Sequence, residues 1–114
     1  MNTDNILEVT YEEFINMDFR VGEIIACEEV KKSRKLLCFQ VRVGEDIMQI
    51  VSGVKDYYTP EEVVGKKVMV LVNLKPATLA GLTSEGMILS AEDKNGKLSF
   101  MVPERDVEVG AEIC

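Results

Sequence analysis

The chain has 114 residues, of which 46% are hydrophobic, enough for one domain built around one core and too apolar in pattern for a disordered tail. His and Trp are both absent, so the commonest general base and the commonest metal ligand are missing, and a zinc site of Cys and His is not expected. A formal net charge of −7 disfavours anionic membranes and, unless the charge is segregated, nucleic acid.

The opening residues, MNTDNILEVT, lack both the basic start and the apolar stretch of a signal peptide. Thr10-Tyr11-Glu12-Glu13 has the form of a capping box and predicts a short helix through about residue 16. Residues 20–28 (RVGEIIACE) read as a strand in which Gly22 marks a bend or bulge. A polar loop over 29–35 follows. A second strand over 36–43 alternates apolar side chains at Leu37, Phe39, Val41 and Val43, and Gly44-Glu45-Asp46 turns into a third strand over 47–51. Thr59-Pro60-Glu61-Glu62 supplies an N-cap, a first-turn proline and a capping glutamate for another short helix, closed by Gly65. The continuous apolar run 67–73 (KVMVLVN) predicts a strand buried on both faces. Strands over 87–92 and 98–102 flank an Asn95-Gly96 turn, and Pro103 ends the second. Three strands, a helix and further strands match the five-stranded OB barrel, so the expected fold is all-β, with the helix between strands three and four and short extra elements at both termini. The whole chain, 1–114, is read as one domain.

Cys27, Cys38 and Cys114 are widely spaced and odd in number, without a C-x-x-C pair. Cys27 and Cys38 lie in apolar runs and read as buried free thiols, Cys114 as an exposed one. Free thiols suit a reducing cytoplasm. The longest apolar run, 68–72, is far short of the roughly 20 residues that span a bilayer, so no membrane partner is expected.

Two connections carry the functional signal. The first is 73–86, long for so small a domain. Leu74, Leu79 and Leu82 are expected to anchor it. Asn73, Lys75, Thr78, Thr83, Ser84 and Glu85 cluster where it enters and leaves, with side chains that donate to and accept from base edges, sugars and phosphates. The same composition serves a crossover that covers the barrel end, with its polar residues forming turns, and both readings stand on the residues alone. The second is Lys31-Lys32-Ser33-Arg34-Lys35, four cations around one serine in the loop after the first strand. Such a run is either a solvated turn or a source of phosphate contacts, and in an OB barrel this loop borders the usual ligand face.

Seven stretches in order carry a family resemblance: Asp18-Phe19-Arg20-Val21-Gly22, Ser33-Arg34-Lys35-Leu36-Leu37, Gln49-Ile50-Val51-Ser52-Gly53, Tyr58-Thr59-Pro60-Glu61-Glu62, Val64-Gly65-Lys66-Lys67, Asn73-Leu74-Lys75-Pro76 and Ser84-Glu85-Gly86-Met87. Over about 14–113 the chain resembles the tRNA-binding domain found as a stand-alone bacterial protein and at the C-terminus of many bacterial methionyl-tRNA synthetases. It is similar, too, to the C-terminal domains of animal and fungal synthetase-associated proteins and to CsaA-type chaperone-like proteins. The resemblance implies an OB-fold homodimer that binds the tRNA body with little sequence preference, without cofactor or catalysis, free-standing or joined to a synthetase catalytic region. Carried over by position, it assigns tRNA contacts to Ser33, Lys35, Asn73, Lys75, Ser84 and Met87. Lys35 and Lys75 would pair with phosphates, Ser33, Asn73 and Ser84 would bond sugar or backbone, and Met87 would offer an apolar surface to a base or to the core. Lys31, Lys32 and Arg34 support the basic loop. Arg20 is read as structural, with an acidic partner near Glu85, and Glu85 as orienting Ser84 or Lys35.

The chain departs from the family at Arg34, where relatives are often acidic or neutral, at Val30-Lys31 in place of His-Pro, and at Phe19 in place of an aliphatic residue. CsaA-type relatives lack the Ile50-Val51-Ser52-Gly53 and Asn73-Leu74-Lys75-Pro76 patterns that this chain keeps, so the synthetase-like branch is favoured. The alternatives are a dimerisation module with little RNA binding, which the net acidity favours, and a CsaA-like peptide-binding chaperone. An enzyme is not expected, because no Ser-His, Cys-His or phosphate-loop pattern is present.

Overall fold

A computed structural model describes residues 7–114, so residues 1–6 of the polar opening stretch lie outside the described residues. The capping box forms as the residues dictate. The hydroxyl of Thr10 accepts from the Glu13 amide and the Glu13 carboxylate accepts from the Thr10 amide, both at 3.1 Å. These bonds start α1 (Tyr11–Ile15), none of whose residues is buried.

An antiparallel meander follows: β1 (Phe19–Glu29), β2 (Leu37–Val43) and β3 (Asp46–Ser52). The turn between β2 and β3 passes through Gly44 at φ 62°, a conformation that costs other residues more. The irregularity in β1 lies between Ile24 and Ala26, not at Gly22 as expected. Gly22 pairs regularly with Val68. It is required for space: a Cβ there would lie 2.7 Å from Val41 and 3.0 Å from Val70. Both neighbours are β-branched and stiff, so the curled sheet closes most tightly where a side chain is missing.

Between β3 and the next strand lies α2 (Pro60–Val63), opened by proline and held by Glu62, whose carboxylate accepts from both the amide and the hydroxyl of Thr59 at 2.9 Å. Val63 is fully buried, and Gly65, at φ 93°, turns the chain so that its amide donates to Ile24. β4 (Lys67–Leu71) pairs with the first half of β1. It is shorter than the run 67–73 and is not buried on both faces: Val68 and Val70 are fully buried, while Lys67, Met69 and Leu71 are half-exposed. Along the edge of β4 opposite β1, the Met69 amide donates to Met101 and the Leu89 amide to Met69.

The expected strand over 87–92 breaks at Leu89. Numbering the elements in chain order, a hairpin of β5 (Ala77–Leu79) and β6 (Leu82–Ser84) precedes it. Then β7 (Met87–Ile88) continues the main sheet beside β4, and β8 (Ser90–Glu92) pairs instead with β9 (Leu98–Phe100). The Asp93 carboxylate accepts from the amides of Asn95 and Lys97, with Gly96 at φ 82°, so the Asn-Gly turn stands as read. β9 stops at Phe100, two residues before the expected end, as the Met101 amide turns to Leu89.

The main sheet runs β3-β2-β1-β4-β7 and curls into a half-barrel of the OB type. Its core holds Ile24, Leu37, Phe39, Val41, Ile50, Val68 and Val70, with Val63 from α2 and Phe100 from β9. Tyr58 stacks on Phe100 with ring centres 4.3 Å apart, and its hydroxyl accepts from the Phe100 amide. One pairing had no sequence signal. Residues 110–113 lie along the start of β1, through bonds from Val21 to Ala111, Gly110 to Val21 and Ile113 to Phe19. They occupy the half-edge that β2 leaves open.

Candidate functional site

The segment 73–86 is a hairpin, not an irregular connection. Its two-residue turn, Ala80-Gly81, has φ 50° and 81°, the mirror-image turn that suits the twist of paired strands. Of the three leucines expected to anchor it, Leu82 packs on the small cluster of Val30, Cys38 and Val51, whereas Leu74 and Leu79 remain exposed.

The hairpin joins β3 through side chains. The amides of Gln49 and Val51, two residues apart, face the same edge of β3. Val51 donates to the Ser84 hydroxyl at 3.0 Å, and Gln49 to the Glu85 carboxylate at 2.8 Å. The Glu85 amide donates back to the Gln49 carbonyl at 2.8 Å, and the Gln49 side-chain amide donates to the Thr83 carbonyl at 2.9 Å. Gly86 comes next and touches the barrel: a Cβ there would lie 2.7 Å from the Leu71 carbonyl.

This closure leaves a groove of about 280 Å3 between the end of β3 and the hairpin, bordered by Ile50, Ser52, Gly53, Leu74, Lys75 and Met87. Met87 is 45% exposed. The basic loop abuts the Gly53 end of the groove. Lys35 accepts through its carbonyl from the Lys55 amide at 3.1 Å, and a Cβ on Gly53 would lie 4.0 Å from that same carbonyl. Ser33 shapes the loop, its hydroxyl accepting from the Lys35 amide at 3.2 Å. Lys31, Lys32, Arg34, Lys35 and Lys75 are exposed, and among the described residues none of them is in an ion pair.

The structure thus lines one groove with Lys75, Ser84 and Met87 and sets the Lys35 backbone beside its Gly53 end, with Ser33 bonded to the Lys35 amide. Ser84, however, is buried, its hydroxyl held between Val51 and the Gly86 carbonyl. Asn73 stands apart from the groove lining and is likewise engaged. Its carbonyl oxygen accepts from the Asp18 amide at 2.9 Å and its amide donates to Asn16 at 2.7 Å, tying the end of β4 to the link before β1. Arg20 pairs with Asp18 at 2.7 Å, a hydrogen bond that raises its already high pKa, and Asp18 shares a cleft with Glu85. Gln49, central to the closure, was not singled out from the sequence, because nothing in its neighbours foretells a strand edge satisfied by side chains.

A larger cleft of about 720 Å3 lies on the other side of Glu85, lined by Asp18, Arg20, Glu45, Asp46 and Glu85 among others. Its carboxylates outnumber its single guanidinium, which suits no polyanion. Other acidic residues collect elsewhere too: Glu28, Glu29 and Glu61 around a cleft beside α2, and Glu104 and Asp106 near Lys67. The groove itself is lined by no carboxylate. Cys38 is buried as expected, whereas Cys27 is only half-buried beside the α2 cleft; partial burial still pushes its thiol up to about 12 and raises that of Cys38, so both stay neutral.

Fold and groove together define an OB-type module with an exposed basic loop beside one end of a carboxylate-free groove. Residues 19–112 match the family model described as "Putative tRNA binding domain", and the chain belongs to that family. The methionine–tRNA ligase of Methanocaldococcus jannaschii is 49% identical over 107 residues, covering 94% of this chain and 16% of the ligase. The chain therefore spans about one-sixth of the length of the curated relatives it matches. Among solved structures, a MetRS-related protein from Pyrococcus horikoshii superposes with a TM-score of 0.89 at 34% identity, covering 96% of this chain and all of that one. The chaperone CsaA of Bacillus anthracis superposes at 0.85 over 95% of this chain and all of that one, with 24% identity, a likeness of fold alone. Among the described residues no helix is long and apolar enough to cross a membrane.

Proposed function

We propose that this domain is a non-catalytic tRNA-binding module that holds the tRNA body with little sequence preference. The observation that supports the reading is a groove free of carboxylates, lined by Lys75, whose Gly53 end lies beside the Lys35 backbone of the exposed basic loop, Lys31 to Lys35. Lys35 and Lys75 pair with phosphates, supported by Lys31, Lys32 and Arg34. Met87, with Leu74, presents an apolar wall to a base or ribose. Ser33, Asn73 and Ser84 serve the same site, and their protein partners indicate that they do so by fixing the loop, the strand end and the hairpin. Chemistry that reads sequence is sparse here: the exposed cations address the uniform phosphate backbone.

The whole chain acts as one unit, and the relatives suggest work in cis with a methionyl-tRNA synthetase catalytic region in a reducing cytoplasm. Homodimerisation is part of the proposal. Tyr11, Ile15 and Met17 expose apolar surface around α1, which a second copy would cover. Two copies raise the effective concentration of a weak site.

The test is tRNA binding across a salt series, with the dimer monitored in parallel. Replacing Lys35 and Lys75 by alanine should lower the slope of log affinity against log salt by about 0.7–0.9 per lost phosphate contact while leaving the dimer intact. No binding at low salt by an intact dimer refutes the proposal and leaves a dimerisation module. Protection of an unfolding client, unaffected by added tRNA, would favour the chaperone reading.

A further inference from the structure

We infer that Gln49 and Glu85 are positioning residues that set the width of the tRNA groove, an inference that rests on the tRNA-binding reading above. The groove has two walls, the end of β3 and the β5–β6 hairpin with the start of β7. No strand ladder joins them, since β3 is the edge of the main sheet and β5 and β6 pair only with each other. Besides one backbone bond, from the Glu85 amide to the Gln49 carbonyl, what spans the gap is the Glu85 carboxylate, standing where a partner strand would offer a carbonyl, with Ser84 doing the same two residues along at Val51.

Gln49 is the other half. Its backbone amide and carbonyl both bond Glu85, and its side chain reaches the Thr83 carbonyl while accepting from Gln40 on β2 at 3.1 Å. One residue therefore links the hairpin, β3 and β2, and so connects the groove wall to the strand that follows the basic loop. Side-chain acceptors make this spacing adjustable in a way a backbone ladder is not. Shortening residue 85 removes one of the ties that hold the hairpin wall, with Lys75 at its entry, against the end of β3, and leaves the Ser84 bond and the β7 pairing in place.

Charge and position make opposite predictions, which gives the inference a clear sign. Glu85 is an anion near a site for a polyanion, so electrostatics alone makes its removal strengthen binding. As a positioning residue, its loss weakens binding. Glu85→Gln removes the charge but keeps an oxygen that accepts from the Gln49 amide. Glu85→Ala removes both.

The experiment measures bulk tRNA binding across a salt series for the wild type, E85Q, E85A and Q49A, together with the core variant V68A, which destabilises the fold away from the groove. Affinities are taken per folded molecule from parallel denaturation curves. The expected result is E85Q as tight as the wild type or tighter, and E85A and Q49A weaker by about tenfold, the size of one lost charge-assisted bond in site preorganisation. V68A should bind as the wild type does. Amide exchange at Gln49 and Val51 should quicken in E85A more than in E85Q. E85A binding as tightly as E85Q overturns the inference alone, and so does V68A binding as weakly as E85A, which would make the effect general destabilisation. A wild type that binds no tRNA overturns the functional reading and this inference with it.

Discussion

Replacing Ser84 by alanine separates scaffold from ligand contact at the residue where the two readings differ most. Ser84 is 6% exposed and Val51, whose amide it accepts at 3.0 Å, is 5% exposed. Alanine leaves that amide buried with no acceptor. An unsatisfied buried donor costs about 1–3 kcal/mol, so S84A should lose about 2 kcal/mol of stability. With a urea m-value of about 1–3 kcal/mol per molar for a small domain, the unfolding midpoint should fall by about 1 M at constant slope. Ser33 provides the comparison. Its hydroxyl also accepts a backbone amide, at 3.2 Å, but in an exposed loop where water replaces it, so S33A should cost under about 1 kcal/mol. The assay is equilibrium urea unfolding of both variants, with tRNA affinity measured under native conditions. If S84A unfolds within about 0.5 kcal/mol of the wild type yet loses tRNA affinity, the hydroxyl belongs to the ligand and the reasoning from burial fails.

Gly86→Ala should destabilise by about 1–3 kcal/mol, because its Cβ would meet the Leu71 carbonyl at 2.7 Å and Met48 at 2.9 Å; a melting temperature equal to that of the wild type would refute the close approach. In the native protein at pH 8 a thiol reagent should modify Cys114 first and the half-buried Cys27, whose thiol is held neutral, far more slowly, with buried Cys38 reacting only in denaturant, as mass spectrometry would report. Because the folded Cys27 value lies above the ordinary 9.0, its contribution to stability is complete below about 9 and is lost as pH rises towards about 12. Glu62 behaves in the opposite sense: hydrogen bonds from Thr59 hold its carboxyl below the usual 4.5, so its contribution is present above that value and lost as pH falls through the folded one. Urea midpoints of E62Q should therefore depend less on pH between 5 and 3 than those of the wild type.

Local signals were legible where a few neighbouring residues decide the outcome. The capping box at Thr10, the proline-led turn at Pro60, the Asn95-Gly96 turn and the alternation along β2 all appear where the residues place them. What was not legible depends on residues far apart. Gly22 looked like a bend, but its role is set by Val41 and Val70 on two other strands. The run 67–73 looked buried on both faces, but a curled sheet covers the outer face of β4 only in part. Leu74 and Leu79 were expected to anchor the hairpin, yet an Ala80-Gly81 turn folds β5 outward and leaves that work to Leu82. For the site, the cations of the basic loop could be listed from the chain. The groove that Lys75 lines beside that loop depends on the closure through Ser84, Glu85 and Gln49, which only the folded geometry displays.

The pairing of residues 110–113 with the start of β1 has a consequence for biogenesis. Arg20 and Gly110 are 90 positions apart, and the bonds beside them complete β1 with a segment made long after it. Synthesis at about 5–20 residues per second leaves that half-edge of β1 bare for several seconds while the rest of the sheet forms. Such an edge is a template for any other extended chain. Residues 110–113 are therefore a guard that arrives late, and a protein cut before Gly110 should join other copies through β1 even where its core is intact.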